Sequence, residues 1–410
     1  MINNARKGTY QSYTLTFTTL VAILILSAPM TLVAQDAKYK MKGNDKEITA
    51  DFLMSYYDQD GNNAAVTGGL GTEKLEDVAT LIVLNIPIDT TQSLAASLGA
   101  DFYSSASTDN IDNNVSSASA HDLRVFMNLG YAKKNLRKAE TYGIGLGFSN
   151  EYDYTSISAN LSWAKEFNEG NSELNLKAQA FLDRWETIFP IELRQEVSVP
   201  TNGRQSYNFQ AAFSQVINRR MQFSVSGELI YMKGLLSTPF HRVYFQDQNL
   251  ADIERLPDSR LKIPIGVRLN YFPIDEFVLR SYYRYYWDDF GINAHTLSLE
   301  TPIKLNPVWS VTPFYRYHIQ TGSTYFAPYG EHLSDELFYT SDYDLSALSS
   351  HKFGMGIKLA PLYGLARMKS PIGKEKMMIM KSLELRGAYY QRSTDLKAFI
   401  VSLGLSFGVK

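Results

Sequence analysis

The stretch VLRSYYRYYWD, residues 278–288, places five aromatic rings and two arginines on consecutive positions. Alternate side chains of a β-strand point to opposite faces, so the stretch separates into two rows. The apolar row consists of Leu279, Tyr283, Tyr285 and Trp287. The polar row consists of Arg280, Tyr282, Arg284, Tyr286 and Asp288. One row is suited to lipid and the other to a hydrated lumen, so the stretch predicts a strand of a transmembrane barrel.

The same period of two continues along most of the chain, as in residues 141–149, 260–271 and 397–409. A soluble β-sandwich also alternates, so the period alone leaves two fold classes open. Three further features favour a barrel in a membrane. The polar rows are rich in Gly, Ser and Asn, aromatic residues cluster at strand ends, and long and short connections alternate.

Long polar connections occur near 58–75, 104–121, 186–205, 236–259 and 323–348. Each follows a strand that runs in the same direction, so all five fall on one rim of the predicted barrel. The sequence therefore predicts an all-β, antiparallel up-and-down barrel of about 16 strands, with these loops extracellular. The segment 362–380 is long but falls on the side of the short turns. Either it is a periplasmic loop or the strand count is wrong by two.

The N-terminus predicts export. Arg6 and Lys7 precede the apolar run Leu20–Ala34, which is short for a membrane-spanning helix. We interpret residues 1–34 as a cleaved signal peptide and 35–410 as the outer-membrane barrel; an N-terminal anchor is the alternative. Expected partners are outer-membrane lipid and the barrel-assembly machinery.

Composition excludes several classes of protein. The chain has 410 residues, a formal net charge of -2 and no cysteine. A near-neutral charge without a basic stripe gives no reason to expect nucleic-acid binding. Without cysteine, disulfides, thiolate metal sites and a lipidated N-terminus are excluded.

Charged residues gather on the polar rows of the later strands. Five are arginines: Arg268, Arg280, Arg284, Arg316 and Arg386. His318 and the acidic residues Glu228, Asp288, Glu300 and Glu384 share these rows. Such a set either gives the lumen a preference for anions or pairs internally and rigidifies a lumen that conducts little.

The loop LLSTPFHRVYFQDQ, residues 235–248, is too apolar and aromatic for a simple solvated loop. Folding inward would constrict the barrel and would bring Phe240, His241, Arg242 and Tyr244 near the pore. Contact with a partner protein explains the same composition equally well.

No metal, cofactor or catalytic site is expected. Asp58, Asp60 and Asn62 resemble the start of a calcium-binding loop, but Gly69 stands where the closing glutamate belongs, so they are weak candidates. His295 and Ser298 lie three positions apart, which places them on opposite faces of a strand. The sequence therefore predicts a protein that is not an enzyme.

Several stretches together resemble an uncharacterised outer-membrane β-barrel family, domain of unknown function 3570. They are YYDQDGNNAAVTGGLGTEKL, SSASTDNID, STPFHRVYF, ERLPDSR, RSYYRYYWDDFGINAHT and PFYRYHIQTGSTYF. The resemblance implies an exported barrel but carries over no site residues. It also implies a redox-linked envelope partner, since genes of this family neighbour those of exported flavin-transfer or thioredoxin-like proteins. The chain departs from the general barrel pattern because it ends in FGVK rather than in an aromatic residue.

These observations lead to two hypotheses. The first is a porin-like channel or small-solute transporter of the outer membrane. The alternative is a non-conducting barrel that serves as a structural or assembly platform for an envelope partner.

Overall fold

A computed structural model describes residues 47–105, 121–187, 202–370 and 376–409. The predicted signal peptide and most of the loops near 104–121 and 186–205 lie outside these residues. The first strands are β1 Ile48–Asp60, β2 Leu75–Pro87, β3 Gln92–Ser105, β4 His121–Asn135, β5 Glu140–Asn150, β6 Tyr154–Phe167, β7 Ser172–Trp185, β8 Gly203–Asn218, β9 Met221–Gly234 and β10 Arg242–Val243. The remaining strands are β11 Asp252–Ile253, β12 Ser259–Ile274, β13 Phe277–Asp288, β14 Asn293–Glu300, β15 Ile303–Lys304, β16 Trp309–Gln320, β17 Leu348–Leu359, β18 Ala366–Lys369, β19 Met377–Arg392 and β20 Lys397–Val409. Short 3-10 turns occupy Ala65–Thr67, Asn168–Gly170 and Tyr343–Leu345.

The sheet closes into a barrel. Consecutive strands pair antiparallel, and β1 pairs with β20 from Ile48 opposite Val409 to Asp60 opposite Lys397. The closed sheet contains 18 strands, while β10 and β11 form a separate two-stranded ribbon. Two short strands, β15 and β18, continue the wall positions of β14 and β17. The wall therefore has sixteen positions, which confirms the predicted antiparallel barrel.

The segment 362–380, which the loop pattern left ambiguous, contains β18 and the first residues of β19, and its residues 371–375 lie outside the described residues. β18 pairs with the first residues of β19, with Ala366 opposite Met380. β17 pairs with the rest of β19, with Leu359 opposite Leu383. Residues 360–365 are therefore an insertion within one wall position, and the count of sixteen needs no correction.

Apolar side chains cover the outside of the wall. Leu146 and Leu161 are 61% and 63% exposed, although water would disfavour exposing them. Tyr283 belongs to the same outer layer, since it lies opposite Val267 and Leu297 in the neighbouring strands. Exposed apolar rows on every second position are what a lipid-facing barrel surface requires. The outer position of Tyr283 agrees with the lipid-facing row predicted for 278–288.

The described residues contain no helix that is long and apolar enough to cross a membrane.

Glycines on the inner face allow large side chains to lie flat against the wall. A Cβ on Gly266 would come within 2.6 Å of the Tyr282 hydroxyl, and one on Gly354 would meet the Phe314 ring at 2.6 Å. A Cβ on Gly99 would overlap the Phe126 ring. The glycine-rich polar rows therefore make room for rings inside the lumen.

Three loops, residues 61–74, 235–258 and 321–347, pack together at the end of the barrel that carries the long loops. We call this assembly the cap. Its apolar centre consists of Val243, Phe245 and Tyr339, all buried. Gly68 lies under the Tyr244 ring with φ +80°, a conformation that favours glycine. The cap is therefore a packed structure and not a set of independent solvated loops.

Candidate functional site

The inner face of the wall from β12 to β19 is strongly basic. Strand alternation and register place a row of basic side chains on it, which includes Arg260, Lys262, Arg268, Arg280, Arg284, Lys304, Arg316, Lys352, Lys358, Arg386 and Arg392. Three acidic side chains share the face: Asp288, Glu300 and Glu384. All the arginines predicted to face the lumen belong to this surface, and so does His318. Glu228 lies on the adjacent strand β9, opposite Gln210.

Part of this charge is paired in a ladder. The Arg280 and Arg386 guanidinium groups donate to the two oxygens of Glu300 at 2.8 Å and 3.0 Å. Arg386 also lies 3.5 Å from Glu384, whose other oxygen is 3.8 Å from the Lys358 ammonium. These residues therefore pair with one another, as in the alternative of a rigid, internally paired lumen. Their ion pairs link β13, β14, β17 and β19.

Other basic groups have no such partner. Within the described residues, no carboxylate lies within 4.0 Å of Arg284, Arg316 or Lys352. Arg316 and Lys352 are directly opposite each other in neighbouring strands. His318 contacts neutral groups, with Nδ1 2.8 Å from the Thr296 hydroxyl. Like charges held side by side without a carboxylate create a positive potential that attracts anions.

A cavity of ≈ 510 Å³ separates this basic surface from the cap. Its charged lining residues are Glu73, His241, Arg316, Asp342, Asp344, Lys352 and Arg392. Arg392 is only 8% exposed; Nη1 donates to Asp344 at 2.5 Å and Nε donates to Thr394 at 2.7 Å. Its Nη2 is buried and has no hydrogen-bond partner. The cavity thus combines unpaired donors from the wall with acidic groups from the loops.

His241, Glu254 and Asp342 meet at the edge of this cavity. The His241 Nδ1 atom lies 3.7 Å from Glu254 and 4.0 Å from Asp342, beyond hydrogen-bonding distance. It is buried and has no hydrogen-bond partner. Glu254 is held firmly, because it accepts from the Thr238 amide and the Thr340 hydroxyl, both at 2.6 Å.

Burial and mutual charge shift the pKa values of these three groups. Burial raises the pKa of Asp342 to about 6, although the nearby His241 imidazole opposes the shift. Burial also acts to raise the pKa of Glu254, but His241 outweighs it and the pKa ends below its usual value. For His241, burial acts to lower the pKa, but Glu254 and Asp342 raise it by more, so the pKa ends above its usual value. The three groups therefore interact strongly.

The structure separates the four residues predicted to form a constriction. His241 lines the cavity, and the Phe240 ring packs edge-on against it at 5.4 Å. Arg242 instead donates to the Val66 carbonyl at 3.0 Å, and the Tyr244 ring packs on Tyr329 at 4.6 Å. The latter two hold the cap together.

Sequence reasoning missed several members of the site, among them Lys352, Glu254 and Asp342. Lys352 could have been found, because it follows the same alternation as its neighbours in KFGMGIKLA. Glu254 and Asp342 lie in loops without a period, and no local signal indicates that they meet.

The weak calcium candidates do not belong to the cluster of histidine and acidic side chains in the cap. Among the described residues, one group of three His, Asp or Glu side chains has donor atoms close enough to share an ion, and it contains neither Asp58 nor Asp60. Asp60 accepts from the Gly61 amide at 3.0 Å, as in an ordinary turn. His295, considered above with Ser298, bonds the Tyr283 hydroxyl at 2.7 Å on the outer face.

Comparison with known proteins gives one family and several barrels. A family described as "Protein of unknown function (DUF3570)" matches residues 20–395. No curated protein matches the chain. A bacterial polysaccharide outer membrane secretin is similar in structure, with TM-score 0.44, 9% identity and coverage of 87% of this chain and 97% of that one. The protein OccK1 (OpdK) of Pseudomonas aeruginosa is similar with TM-score 0.40 and 7% identity, and the match covers 88% of this chain and 98% of that one. The siderophore receptor PirA of Pseudomonas aeruginosa is similar with TM-score 0.40 and 10% identity, and the match covers 88% of this chain and 80% of that one.

Proposed function

The chain belongs to the DUF3570 family, and we propose that this outer-membrane barrel is a porin-like channel that binds and passes a small anionic solute. The observation that carries the proposal is the cluster of Arg284, Arg316 and Lys352. These groups have no carboxylate within 4.0 Å in the described part of the chain, and two of them line the cavity beneath the cap. A solute with a carboxylate or phosphate group would supply the missing charge.

The opposite wall supports an anion preference of this kind. In a ring of sixteen strands, the strand eight positions away lies across the lumen. Asp77 and Asp101, on β2 and β3, therefore lie across from the strands of Arg268 and Arg284. Asp101 lies 3.7 Å from Arg124, whereas Asp77 has no ion pair within 4.0 Å in the described residues. A carboxylate that faces a basic wall contributes a transverse field, which orients a polar solute while the basic side holds its anionic group.

The cap gives this field a place to act. His241 reaches the same cavity as Arg316, so the loop that carries it narrows the hydrated space beside the unpaired arginine. Excluding water lowers the local dielectric constant and strengthens each charge interaction. We therefore place the selective region of the channel under the cap.

Single-channel recording tests the proposal. Purified, folded protein in a planar bilayer should give discrete conductance steps, and a salt gradient should give a reversal potential of the sign expected for anion preference. A unit charge about 5 Å from an ion in water contributes roughly 0.8 kcal/mol, or about fourfold in occupancy. Arg316→Ala combined with Lys352→Ala should therefore lower the anion-to-cation permeability ratio by roughly tenfold or more.

The matched control is Lys177→Ala, which removes a lumen-facing positive charge from β7, opposite Gln210 and away from the cap cavity. We expect it to change the ratio less than twofold. A folded barrel that never conducts would refute the channel, and equal effects of the two changes would refute the assigned selective region.

The platform hypothesis has one observation in its favour. Leu362 and Tyr363, in the insertion between β17 and β18, are 83% and 72% exposed. They lie on the side of the short turns, which the barrel pattern places in the periplasm. A photo-crosslinking residue at position 363 should label one stoichiometric envelope protein in intact cells if this hypothesis is correct. Labelling of lipid alone would identify the pair as a membrane anchor.

A further inference from the structure

The cap contains a cluster whose chemistry the channel does not need. His241 and Glu254 belong to the loop 235–258, and Asp342 belongs to the loop 321–347. Their donor atoms lie within 4.8 Å of one another, and no other group of this kind occurs in the described residues. The cluster therefore joins two loops that are distant in sequence.

The internal hydrogen bonding leaves His241 and Asp342 each with one ligating atom that makes no hydrogen bond, while both oxygens of Glu254 already accept one each. One oxygen of Asp342 accepts from the Asp344 amide at 2.9 Å, which leaves the other oxygen directed toward His241. The His241 Nδ1 atom is buried without a partner. Buried polar atoms without a partner are rare and costly, so the arrangement indicates an absent ligand between these groups.

Charge leads to the same conclusion. Glu254 is buried, and His241 and Asp342 are half-buried, so two carboxylates beside one imidazole leave an excess of negative charge at a place largely removed from water, even when the imidazole is protonated. Arg392 does not remove it, because its guanidinium pairs with Asp344 instead. A divalent cation would neutralise both carboxylates and would use the neutral imidazole as a ligand.

We propose that His241, Glu254 and Asp342 bind one divalent first-row transition cation, of which Zn²⁺ is the representative. An imidazole nitrogen with two carboxylate oxygens suits such a cation, whereas calcium and magnesium take oxygen ligands. Tetrahedral donors about 2.0–2.2 Å from a shared ion are roughly 3.3–3.6 Å apart. The His241 Nδ1 contacts at 3.7 Å and 4.0 Å must therefore close by a few tenths of an ångström, and the two carboxylates, which lie within 4.8 Å of each other, by up to about 1.5 Å.

The surroundings support the ligands in the manner of metal centres. Glu254 is oriented by Thr238 and Thr340, which are the kind of outer contacts that fix ligand geometry. The Glu254 amide donates to the His241 carbonyl at 3.0 Å, which ties the two ligands together through the backbone. His241 and Asp342 also line the cavity, so water or an anionic solute can reach the remaining coordination positions. The cation would link the loops 235–258 and 321–347 and so hold the cap over the lumen.

Metal titration of the whole, folded, tag-free protein in detergent tests the inference. After chelation and dialysis, calorimetry should detect one equivalent of Zn²⁺, and Co²⁺ should give visible bands of a nitrogen- and oxygen-ligated ion. His241→Ala and Asp342→Asn should each weaken Zn²⁺ binding by at least about 100-fold, since changing only the groups that hydrogen-bond to a metal ligand costs roughly 10–100-fold. Heat-dependent gel migration verifies that each variant retains a folded barrel.

The control is Asp252→Asn, two residues before Glu254 but hydrogen-bonded to Tyr339 and not to the cluster. It makes the same charge change as Asp342→Asn and should leave Zn²⁺ affinity within threefold of the wild type. Wild-type protein that binds no Zn²⁺ or Co²⁺ overturns the inference. So does equal binding by the Asp342 and Asp252 variants, or displacement of Zn²⁺ by millimolar Ca²⁺.

Discussion

Asp288, at the end of the stretch that reveals the fold, is the most demanding buried charge in the barrel. It has no exposed surface, and Arg260 donates to it through Nε at 3.1 Å and through Nη2 at 2.5 Å. The Tyr286 hydroxyl donates at 2.7 Å, and the amides of Phe290 and Ile292 donate at 3.1 Å and 3.0 Å. One carboxylate therefore holds both the start of β12 and the turn after β13.

Replacing Arg260 with methionine keeps most of the side-chain volume but leaves the carboxylate with neutral donors alone. Removing one partner of a buried ion pair costs about 3–5 kcal/mol, because the other charge stays buried. We expect Arg260→Met to lower the free energy of unfolding by about 3–4 kcal/mol, since three neutral hydrogen bonds remain. Asp288→Asn keeps an oxygen for the turn amides, so the double variant should lose less than the sum, with a coupling of about 2 kcal/mol.

Reversible urea unfolding in lipid vesicles, followed by tryptophan fluorescence, measures these differences. The matched control is Arg268→Met on the same strand, since Arg268 lies over the Tyr282 ring at 5.2 Å and forms no ion pair within 4.0 Å in the described residues. Its loss should be below about 1 kcal/mol. If Arg260→Met costs no more than Arg268→Met, the ion pair is not what stabilises this corner of the barrel.

Three further changes probe the wall and its turns. Leu146→Arg puts a charge on the lipid face and should cost about 2–4 kcal/mol near the bilayer midplane in the same unfolding assay; a cost near zero would contradict the assigned facing. Gly99→Val should cost about 1–3 kcal/mol by displacing the Phe126 ring, and Phe126→Ala in the same chain should recover part of it; no recovery would show that the cost lies elsewhere. In the turn before β3, hydrogen bonds from the Thr91 hydroxyl and amide lower the pKa of Asp89 from 3.8 to about 2. Because this pKa is lowered, ionised Asp89 stabilises the turn above about pH 4, and the stabilisation is lost as the pH falls through about 2. Protection of the Thr91 amide from hydrogen exchange should therefore fall over that pH range. The Asp89→Ala variant should show no such step.

The fold could be predicted because its rules are local. In a strand, facing follows from position alone, so the rows of 278–288 assign Arg284 to the lumen and Tyr283 to lipid without any knowledge of neighbours. Up-and-down order then makes adjacent hairpins neighbours, which brings Arg280 beside Glu300. The closing contact between β1 and β20 follows from the even number of strands.

The cap could not be predicted, because its contacts obey no period. Arg242 donates to Val66 across 176 positions, and Thr340 donates to Glu254 across 86. Loop residues of this kind are placed by tertiary packing, and composition indicates only that a loop is too apolar to be solvated. The density of rings in 235–248 was such a signal, and it identified the loop without identifying its partners.

The seam between the first and last strands makes insertion an all-or-nothing event. Until Lys397–Val409 aligns beside Ile48–Asp60, two thirteen-residue borders expose their amide and carbonyl groups. Hydrocarbon offers those groups nothing to bond with, at several kcal/mol for each. A fragment that lacks the last strand is therefore not expected to insert into the bilayer. During insertion of the whole chain, the edges of β1 and β20 must be shielded from hydrocarbon until the two strands pair.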